Sequence, residues 1–153
     1  MARPEPAGPA WAVPTSLALC AAGLLVSAYL TVEHLTDPGS LACPATQVVD
    51  CARVTTSAQS TLLGIPVAVL GVVYFAVLAV LCLPGRWRAA DSRLTWLRLG
   101  IAGGGVAFVL YLVYAELFLI NAICLWCTVV HVMTVALFGV LAAAAALDPR
   151  ANR

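Results

Sequence analysis

The sequence predicts an all-α membrane protein, a bundle of four transmembrane helices with a long outer loop that carries a short helix as a lid. Of the 153 residues, 63% are hydrophobic and 10% are charged, and the mean hydropathy is +1.00. A water-soluble domain of this size has too little interior to bury so much apolar surface. The net charge of +1 gives no support for a nucleic-acid partner, so we expect the lipid bilayer to be the main surroundings.

Four apolar stretches account for the predicted helices, and each is long enough to cross about 30 Å of hydrocarbon at about 1.5 Å per residue. They cover residues 13–32, 62–83, 97–120 and 123–147. The first is longer than the apolar core of a signal peptide and lacks a small-residue cleavage site, so we expect it to be retained. Gly64-Ile65-Pro66 opens the second, because proline is tolerated in a first helical turn. In the third, Gly100 and Gly104 predict a close approach of another helix.

The arginines predict the orientation in the membrane. All eight basic residues are Arg, which together with the abundant Ala is typical of a GC-rich bacterial genome. With four spans, seven of them share one side, namely Arg3, Arg86, Arg88, Arg93, Arg98, Arg150 and Arg153, and Arg53 lies on the other. The positive-inside rule then predicts a multi-pass protein of the bacterial plasma membrane with both termini in the cytoplasm.

This orientation divides the chain into three parts. We expect residues 1–12 to be a disordered cytoplasmic tail, residues 13–147 to be one transmembrane domain, and residues 148–153 to be a second cytoplasmic tail. Cys20 and Cys82 fall within spans, where we interpret them as small apolar packing residues.

Four cysteines form two pairs on the predicted outer side. Cys43 and Cys51 lie in the loop 33–61, and Cys124 and Cys127 lie where the fourth span begins. Backbone N–H groups and the helix dipole stabilise a thiolate at a helix start, so a CxxC pair at this place indicates redox chemistry.

The outer loop is longer than a simple connection, and its apolar residues are not typical of disorder. We expect the run from Gln47 to Ser57 to form a short helix that covers the outer end of the bundle. On one regular helix the Cα atoms of Cys43 and Cys51 would lie about 12 Å apart, so the chain must turn back if these residues pair.

These residues together resemble the vitamin K epoxide reductase family, most of all its bacterial members. The matching motifs are Ser27-x-Tyr29-Leu30, Cys43-x7-Cys51-x-x-Val54-x-x-Ser57, Gly64-Ile65-Pro66, Tyr111-Leu112 and Cys124-x-x-Cys127-Thr128. The resemblance covers residues 13–147, and it implies a four-helix transmembrane bundle around a quinone, either menaquinone or ubiquinone, with the long loop as a lid. It also implies a thiol:quinone oxidoreductase that reoxidises a secreted or periplasmic thioredoxin-like protein in disulfide bond formation. Because the chain stops at Arg153, we expect that partner to be a separate protein.

The resemblance assigns catalytic roles to the four paired cysteines. Cys43 and Cys51 become a shuttle pair, in which Cys43 meets the partner and Cys51 attacks the inner pair at Cys124. Cys127 then faces the quinone and donates electrons to it. Ser57 matches the hydroxyl residue that the family places near the quinone and the active cysteine, although an interpretation as a helix cap stays open.

Glu116 and His131 are further candidates for quinone binding and proton transfer. Glu116 lies two helical turns before Cys124, and His131 lies one turn after Cys127. An ionisable residue within a span is a candidate for function, although structural roles stay open for both. The vertebrate enzyme has a Tyr at the position of His131, and this difference favours a quinone over an epoxide as the substrate.

Three other interpretations stay open. The four outer cysteines as a zinc site are disfavoured, because seven residues separate Cys43 from Cys51 and structural zinc usually takes closely spaced pairs. We therefore expect no metal. The same fold with vitamin K quinone or epoxide as the substrate is a second alternative, and a non-catalytic membrane protein stapled by two disulfides is a third.

Overall fold

The computed structural model describes residues 8–37, 40–44, 46–88 and 92–148. Most of both predicted tails, with Arg3, Arg150 and Arg153, lies outside the described residues. The helices are α1 (Ala12–Thr36), α2 (Cys51–Thr55), α3 (Val67–Leu81), α4 (Pro84–Arg88), α5 (Ser92–Tyr114) and α6 (Leu125–Ala146). A π-helical segment (Ala115–Ile120) continues α5, and a 3₁₀ turn (Ala58–Ser60) and a small antiparallel hairpin of β1 (Thr61–Leu62) and β2 (Ile65–Pro66) connect α2 to α3.

Within the described residues, three helices are long and apolar enough to cross a membrane: Ala12–Thr36, Ser92–Ile120 and Leu125–Ala146. The second predicted span differs, because α3 has 15 residues and the hairpin occupies its expected beginning. Leu63 and Gly64 in the hairpin turn have φ angles of 53° and 82°, which a right-handed helix cannot contain. The predicted all-α membrane class is confirmed, and the number of four spans stays a prediction.

Helix α1 is the centre of the bundle. It packs along α3 on one side and along α6 on the other, and α5 packs against α6. The buried face of α1 is made largely of small residues, and it consists of Ala12, Ser16, Cys20, Gly23, Ser27 and Leu30. Their spacing of three and four residues places them on one stripe, so neighbouring helices approach α1 closely.

The bundle has two ends that differ in chemistry. We call the end with the four paired cysteines the cysteine end, and the opposite end, near α4 and the start of α5, the arginine end. Cys20 and Cys82 pack in the core towards the arginine end with no exposed surface, as predicted. Arg98 is also buried there. Its Nε donates a hydrogen bond to the Leu81 carbonyl at 2.9 Å, and its guanidinium lies 4.4 Å from the centre of the Trp87 ring.

The close helix contact predicted at Gly100 and Gly104 is wrong. A Cβ atom added to either residue would meet no atom within 4 Å. Close approaches occur instead at Gly23, where a Cβ would lie 2.4 Å from the Phe75 ring, and at Gly105, where it would lie 2.5 Å from the Tyr74 ring. The small-residue spacing on α5 therefore does not mark the face that contacts its neighbours.

Gly23→Ala is expected to lower the free energy of unfolding by about 1–3 kcal/mol, because the fully buried Phe75 ring has no room to move away from a new methyl group. Gly100→Ala is the matched control, since it adds the same methyl group where the space is open. The midpoint of thermal unfolding in detergent measures both. An equal loss in the two variants would contradict the steric explanation.

The lid helix is shorter than the predicted run from Gln47 to Ser57. Asp50 ends an extended segment and caps α2, because its Oδ1 accepts a hydrogen bond from the Arg53 N–H at 2.9 Å. Val49, just before it, forms a parallel bridge with Ile123, and the Asp50 N–H donates to the Ile123 carbonyl at 3.1 Å. Backbone pairing thus replaces the first predicted helical turn and fastens the lid to the chain that leads into α6.

Candidate functional site

Cys43 and Cys51 are joined by a disulfide, with their Cα atoms 6.1 Å apart. The chain turns back between them, as the sequence analysis required if these two residues were to pair. Cys43 is half-buried in the loop, whereas Cys51 begins α2 and is buried. Cys43 is therefore the sulfur that a partner reaches more easily. Two cysteines joined in this way are not available as thiolate ligands of zinc.

Cys124 and Cys127 are free thiols at the start of α6. Cys124 is the N-cap residue, and its sulfur accepts a hydrogen bond from the Cys127 N–H at 3.3 Å. Hydrogen bonding from the Cys127 thiol lowers the pKa of the Cys124 thiol, which lies just before the membrane-spanning helix. The helix start thus favours a thiolate at Cys124.

Cys51 and Cys124 belong to one packed cluster at the cysteine end. The bridge between Val49 and Ile123 sets the chains that enter these two cysteines side by side. Leu30 and Ile120 pack around them and exclude water. The structure therefore brings the disulfide pair next to the dithiol pair through Cys51 and Cys124.

A cavity of about 330 Å³ lies beneath the lid, and its wall is formed by α1, α3, α5 and α6. Its lining extends over about two helical turns on each of three helices, from 27 to 34 on α1, from 67 to 75 on α3 and from 127 to 134 on α6. At about 1.5 Å per residue this corresponds to a depth of about 10 Å. The wall is mainly apolar with a few polar groups, which is typical of a site for a small organic ligand.

The cavity brings together four of the predicted site residues, namely Ser57, Glu116, Cys127 and His131. The other three, Cys43, Cys51 and Cys124, do not line it and lie in the cluster beside its cysteine end. Cys127 is thus the cysteine that connects the two parts of the site.

The π-helical segment carries Glu116 to the cavity. Glu116 is 6% exposed and lines the same cavity as Cys127. The segment ends at Asn121, which has a left-handed φ of 53°, and the Ala122 N–H then donates to the Glu116 carbonyl at 3.1 Å. Short π-helical turns are frequent at functional sites, and this one places a buried carboxyl group at the cavity that Cys127 lines.

Ser57 and His131 lie at different depths of the cavity, measured from the cysteine end. Ser57 is the N-cap residue of the 3₁₀ turn, but its side chain makes no capping bond to that turn, and the interpretation as a helix cap stays open. Its hydroxyl donates instead to the Val54 carbonyl at 2.7 Å. His131 is buried one turn below Cys127.

Several polar residues of the cavity wall were not predicted as site residues, among them Ser27, His34 and Tyr74. Ser27 and His34 lie seven residues apart on one face of α1, a spacing that in hindsight marks them as neighbours. Among the described residues, the buried hydroxyls of Ser27 and Tyr74 have no hydrogen-bond partner. An apolar cavity with such hydroxyls at its inner end fits a flat apolar ligand that carries oxygen acceptors, as a quinone does.

Comparison with known proteins agrees with the geometry. The model of the vitamin K epoxide reductase family matches residues 14–142, which is most of the chain. A search of curated proteins gives no match. The matched range contains both cysteine pairs and the whole cavity wall. The resemblance predicted from the cysteine motifs is confirmed, and the chain belongs to the vitamin K epoxide reductase family.

Proposed function

We propose that this protein is a thiol:quinone oxidoreductase of a bacterial plasma membrane. It reoxidises a separate, secreted thioredoxin-like protein and passes the electrons to menaquinone or ubiquinone, in support of disulfide bond formation. Members of its family are oxidoreductases that use quinone-type cofactors. One observation carries the proposal: a disulfide and a dithiol pack together above an apolar cavity that Cys127 lines.

Electrons enter at the more accessible sulfur, Cys43. A partner thiolate attacks Cys43, breaks the bond to Cys51 and releases Cys51 as a thiolate. The second thiolate of the partner then attacks the first partner sulfur, so the partner leaves with a disulfide and Cys43 becomes a thiolate. Two electrons have now moved from the partner to the shuttle pair.

Cys51 passes these electrons to the inner pair when that pair is oxidised. Its thiolate attacks Cys124, its neighbour in the packed cluster, and Cys127 leaves as a thiolate at the cavity. Cys43 then attacks Cys51, which restores the Cys43–Cys51 disulfide and releases Cys124. The product has an outer disulfide and an inner dithiol, the same arrangement as in the structure.

A quinone in the cavity supplies the acceptor for two electrons and two protons. Cys127 and Ser57 line the cysteine end of the cavity, and Ser27 and Tyr74 line its inner end, so these side chains would hold the ring between them. Glu116 and His131 line the same cavity, and we assign them to hydrogen bonding and proton exchange there.

The proposed topology has four spans, with both termini in the cytoplasm and the cysteine end outside. The arginines support it, because Arg86 and Arg93 lie at the arginine end while Arg53 lies on the lid. The thiols of the relay then face the oxidising side of the membrane, where disulfides persist.

The test uses the purified protein in lipid nanodiscs with a reduced thioredoxin-like protein and a short-chain menaquinone or ubiquinone. We expect catalytic oxidation of the partner, with one quinone reduced for each disulfide formed. The reaction is followed by the change in absorbance of the quinone. Protein whose exposed thiols were alkylated after reduction is the control. If neither quinone is reduced while the partner still exchanges with Cys43, the oxidoreductase proposal is wrong.

A second candidate keeps the same residues and replaces the acceptor with vitamin K quinone or its epoxide. The family match favours it, because the family is known by that reaction. Vitamin K epoxide in the same assay distinguishes the two candidates, since the second predicts its reduction at a rate comparable to that of a quinone. A bundle with inert disulfides is disfavoured by the free dithiol that packs beside the disulfide.

A further inference from the structure

His34 lies in the last turn of α1 and lines the cysteine end of the cavity, but the relay gives it no role. Its Nδ1 lies 3.0 Å from the carbonyl oxygen of Thr55, the last residue of the lid helix. A carbonyl oxygen only accepts hydrogen bonds, so Nδ1 carries a hydrogen and donates it. The contact therefore fixes the tautomer and leaves Nε2 as the nitrogen that gains and loses a proton.

The chain contains two histidines, and both line the cavity. His131 is 7% exposed in the wall formed by α6, whereas His34 is half-buried where α1 meets the lid. Imidazole is the side chain that ordinarily exchanges a proton between about pH 5 and 8. Of the two residues, His34 has the shorter route to water.

The proposed chemistry needs a proton source at this place. Oxidation of the inner dithiol provides two electrons, and reduction of a quinone consumes two electrons and two protons. Cys124 is the N-cap residue of α6, and a cysteine at a helix start readily reacts as a thiolate, which has already lost its proton. At least one of the two protons must then come from a group other than the cysteines.

We propose that His34 is the proton donor of the quinone site. Its Nδ1–H stays bonded to Thr55, while Nε2 takes a proton from water at the cysteine end and delivers it into the cavity. One thiolate, one thiol, a quinone and the proton from His34 then give a disulfide and a hydroquinone, and water reprotonates His34. The inference rests on the proposed thiol:quinone activity and adds to it the residue that supplies the proton and the side from which it comes.

Other titratable groups surround His34, and the test must separate them. Glu116 on the π-helical segment, with Cys127 and His131 on α6, shares the cavity. Arg53 on α2 is exposed, and Glu33 on α1 accepts a hydrogen bond from the Ser40 hydroxyl. Glu116 and His131 are both buried, so a proton from water reaches them less directly.

The variants His34→Asn and His34→Ala separate the two functions of the side chain, which are the hydrogen bond to Thr55 and the transfer of a proton. The Asn amide N–H occupies the place of Nδ1–H, so it retains the bond to Thr55 but carries no exchangeable imidazole proton. In nanodiscs with a short-chain menaquinone, we expect His34→Asn to lower quinone reduction about 100-fold and to remove its decline with rising pH. Exchange between the partner and the Cys43–Cys51 disulfide, measured without quinone, should stay at the wild-type rate.

Two further measurements test the inference, one of quinone affinity without turnover and one of quinone reduction in the second variant. In fully oxidised protein, quenching of tryptophan fluorescence reports the affinity for the same quinone. The affinity should depend on pH in the wild type and should lose this dependence in His34→Asn. Added imidazole should restore quinone reduction in His34→Ala, where the side-chain space is vacant, and should not restore it in His34→Asn.

Glu33→Gln is the matched control, since it removes a charge beside His34 without changing the cavity wall, and we expect wild-type behaviour. A His34→Asn protein with the wild-type rate and pH profile would overturn the inference and leave the proposed function intact. Equal slowing of partner exchange and quinone reduction would also overturn it, because His34 would then only position the lid. A wild-type protein that reduces no quinone would instead overturn the proposed function.

Discussion

Cys127→Ser should abolish quinone reduction, lowering turnover by about 1,000-fold or more. Of the four paired cysteines, Cys127 is the one that lines the cavity, so its sulfur is the one in reach of a bound acceptor. A serine hydroxyl retains the size and hydrogen bonding of the side chain but cannot form a disulfide with Cys124. The loss is measured from the absorbance of the quinone with reduced partner in excess.

The same variant separates the two halves of the relay. Because Cys43 and Cys51 are unchanged, Cys127→Ser should still oxidise about one equivalent of partner and then stop. Cys20→Ala is the matched control, since Cys20 is fully buried towards the arginine end and does not line the cavity. We expect wild-type turnover from the control. Steady quinone reduction by Cys127→Ser, or an equal loss in Cys20→Ala, would contradict the role of Cys127.

Much of the fold follows from hydropathy alone, because a membrane-spanning helix must satisfy its backbone hydrogen bonds internally and present apolar side chains. This requirement predicted α1, α5 and α6. It did not predict the hairpin before α3, since Leu62, Leu63 and Ile65 are as apolar in a turn as in a helix. The left-handed φ values at Leu63 and Gly64 decide the difference, and they belong to a two-residue hairpin turn that makes few contacts, since Leu63 is 97% exposed and a Cβ at Gly64 would meet no atom within 4 Å.

The direction in which a side chain points was harder to predict than the presence of an ionisable residue within a span. Glu116 and His131 were recognised as ionisable residues within spans, and both line the cavity. The π-helical turn that carries Glu116 there widens a regular helix by one residue per turn, and no sequence pattern specified it. His34 was missed because Glu33 and His34 end the apolar stretch, although the helix itself continues to Thr36.

The cysteines were predictable because their chemistry restricts their spacing. Two sulfurs of a CxxC at a helix start are close enough to react, and the start of a span after a tight turn is visible in the sequence. What the sequence lacked was the contact between the pairs. The bridge between Val49 and Ile123 joins chain segments that are more than seventy residues apart, and it explains why Cys51 meets Cys124.

Cys43→Ser should trap a disulfide between Cys51 and Cys124 and lower turnover with the partner by about 1,000-fold. Without Cys43, Cys51 is a free thiol packed in the same cluster as Cys124. Once the inner pair is oxidised, Cys51 attacks Cys124 and releases Cys127, and Cys43, whose attack on Cys51 would complete the transfer, is missing. Peptide mass spectrometry after alkylation identifies the trapped bond and finds Cys127 alkylated.

Cys51→Ser is the reciprocal variant, and its expected product is different. When Cys51→Ser is mixed with the oxidised partner, Cys43 attacks the partner disulfide and the partner's second cysteine leaves as a thiolate. The mixed disulfide at Cys43 then accumulates, because Cys51, which would displace the partner, is missing. Both experiments use a Cys82→Ala background, which removes a buried thiol outside the site without touching the relay. A bond from Cys51 to Cys127 in Cys43→Ser would contradict the order of the relay, since it would make Cys124 the thiolate that is released. Failure of Cys43→Ser to trap a disulfide between Cys51 and Cys124 would show that the two pairs do not exchange, despite their contact in the cluster.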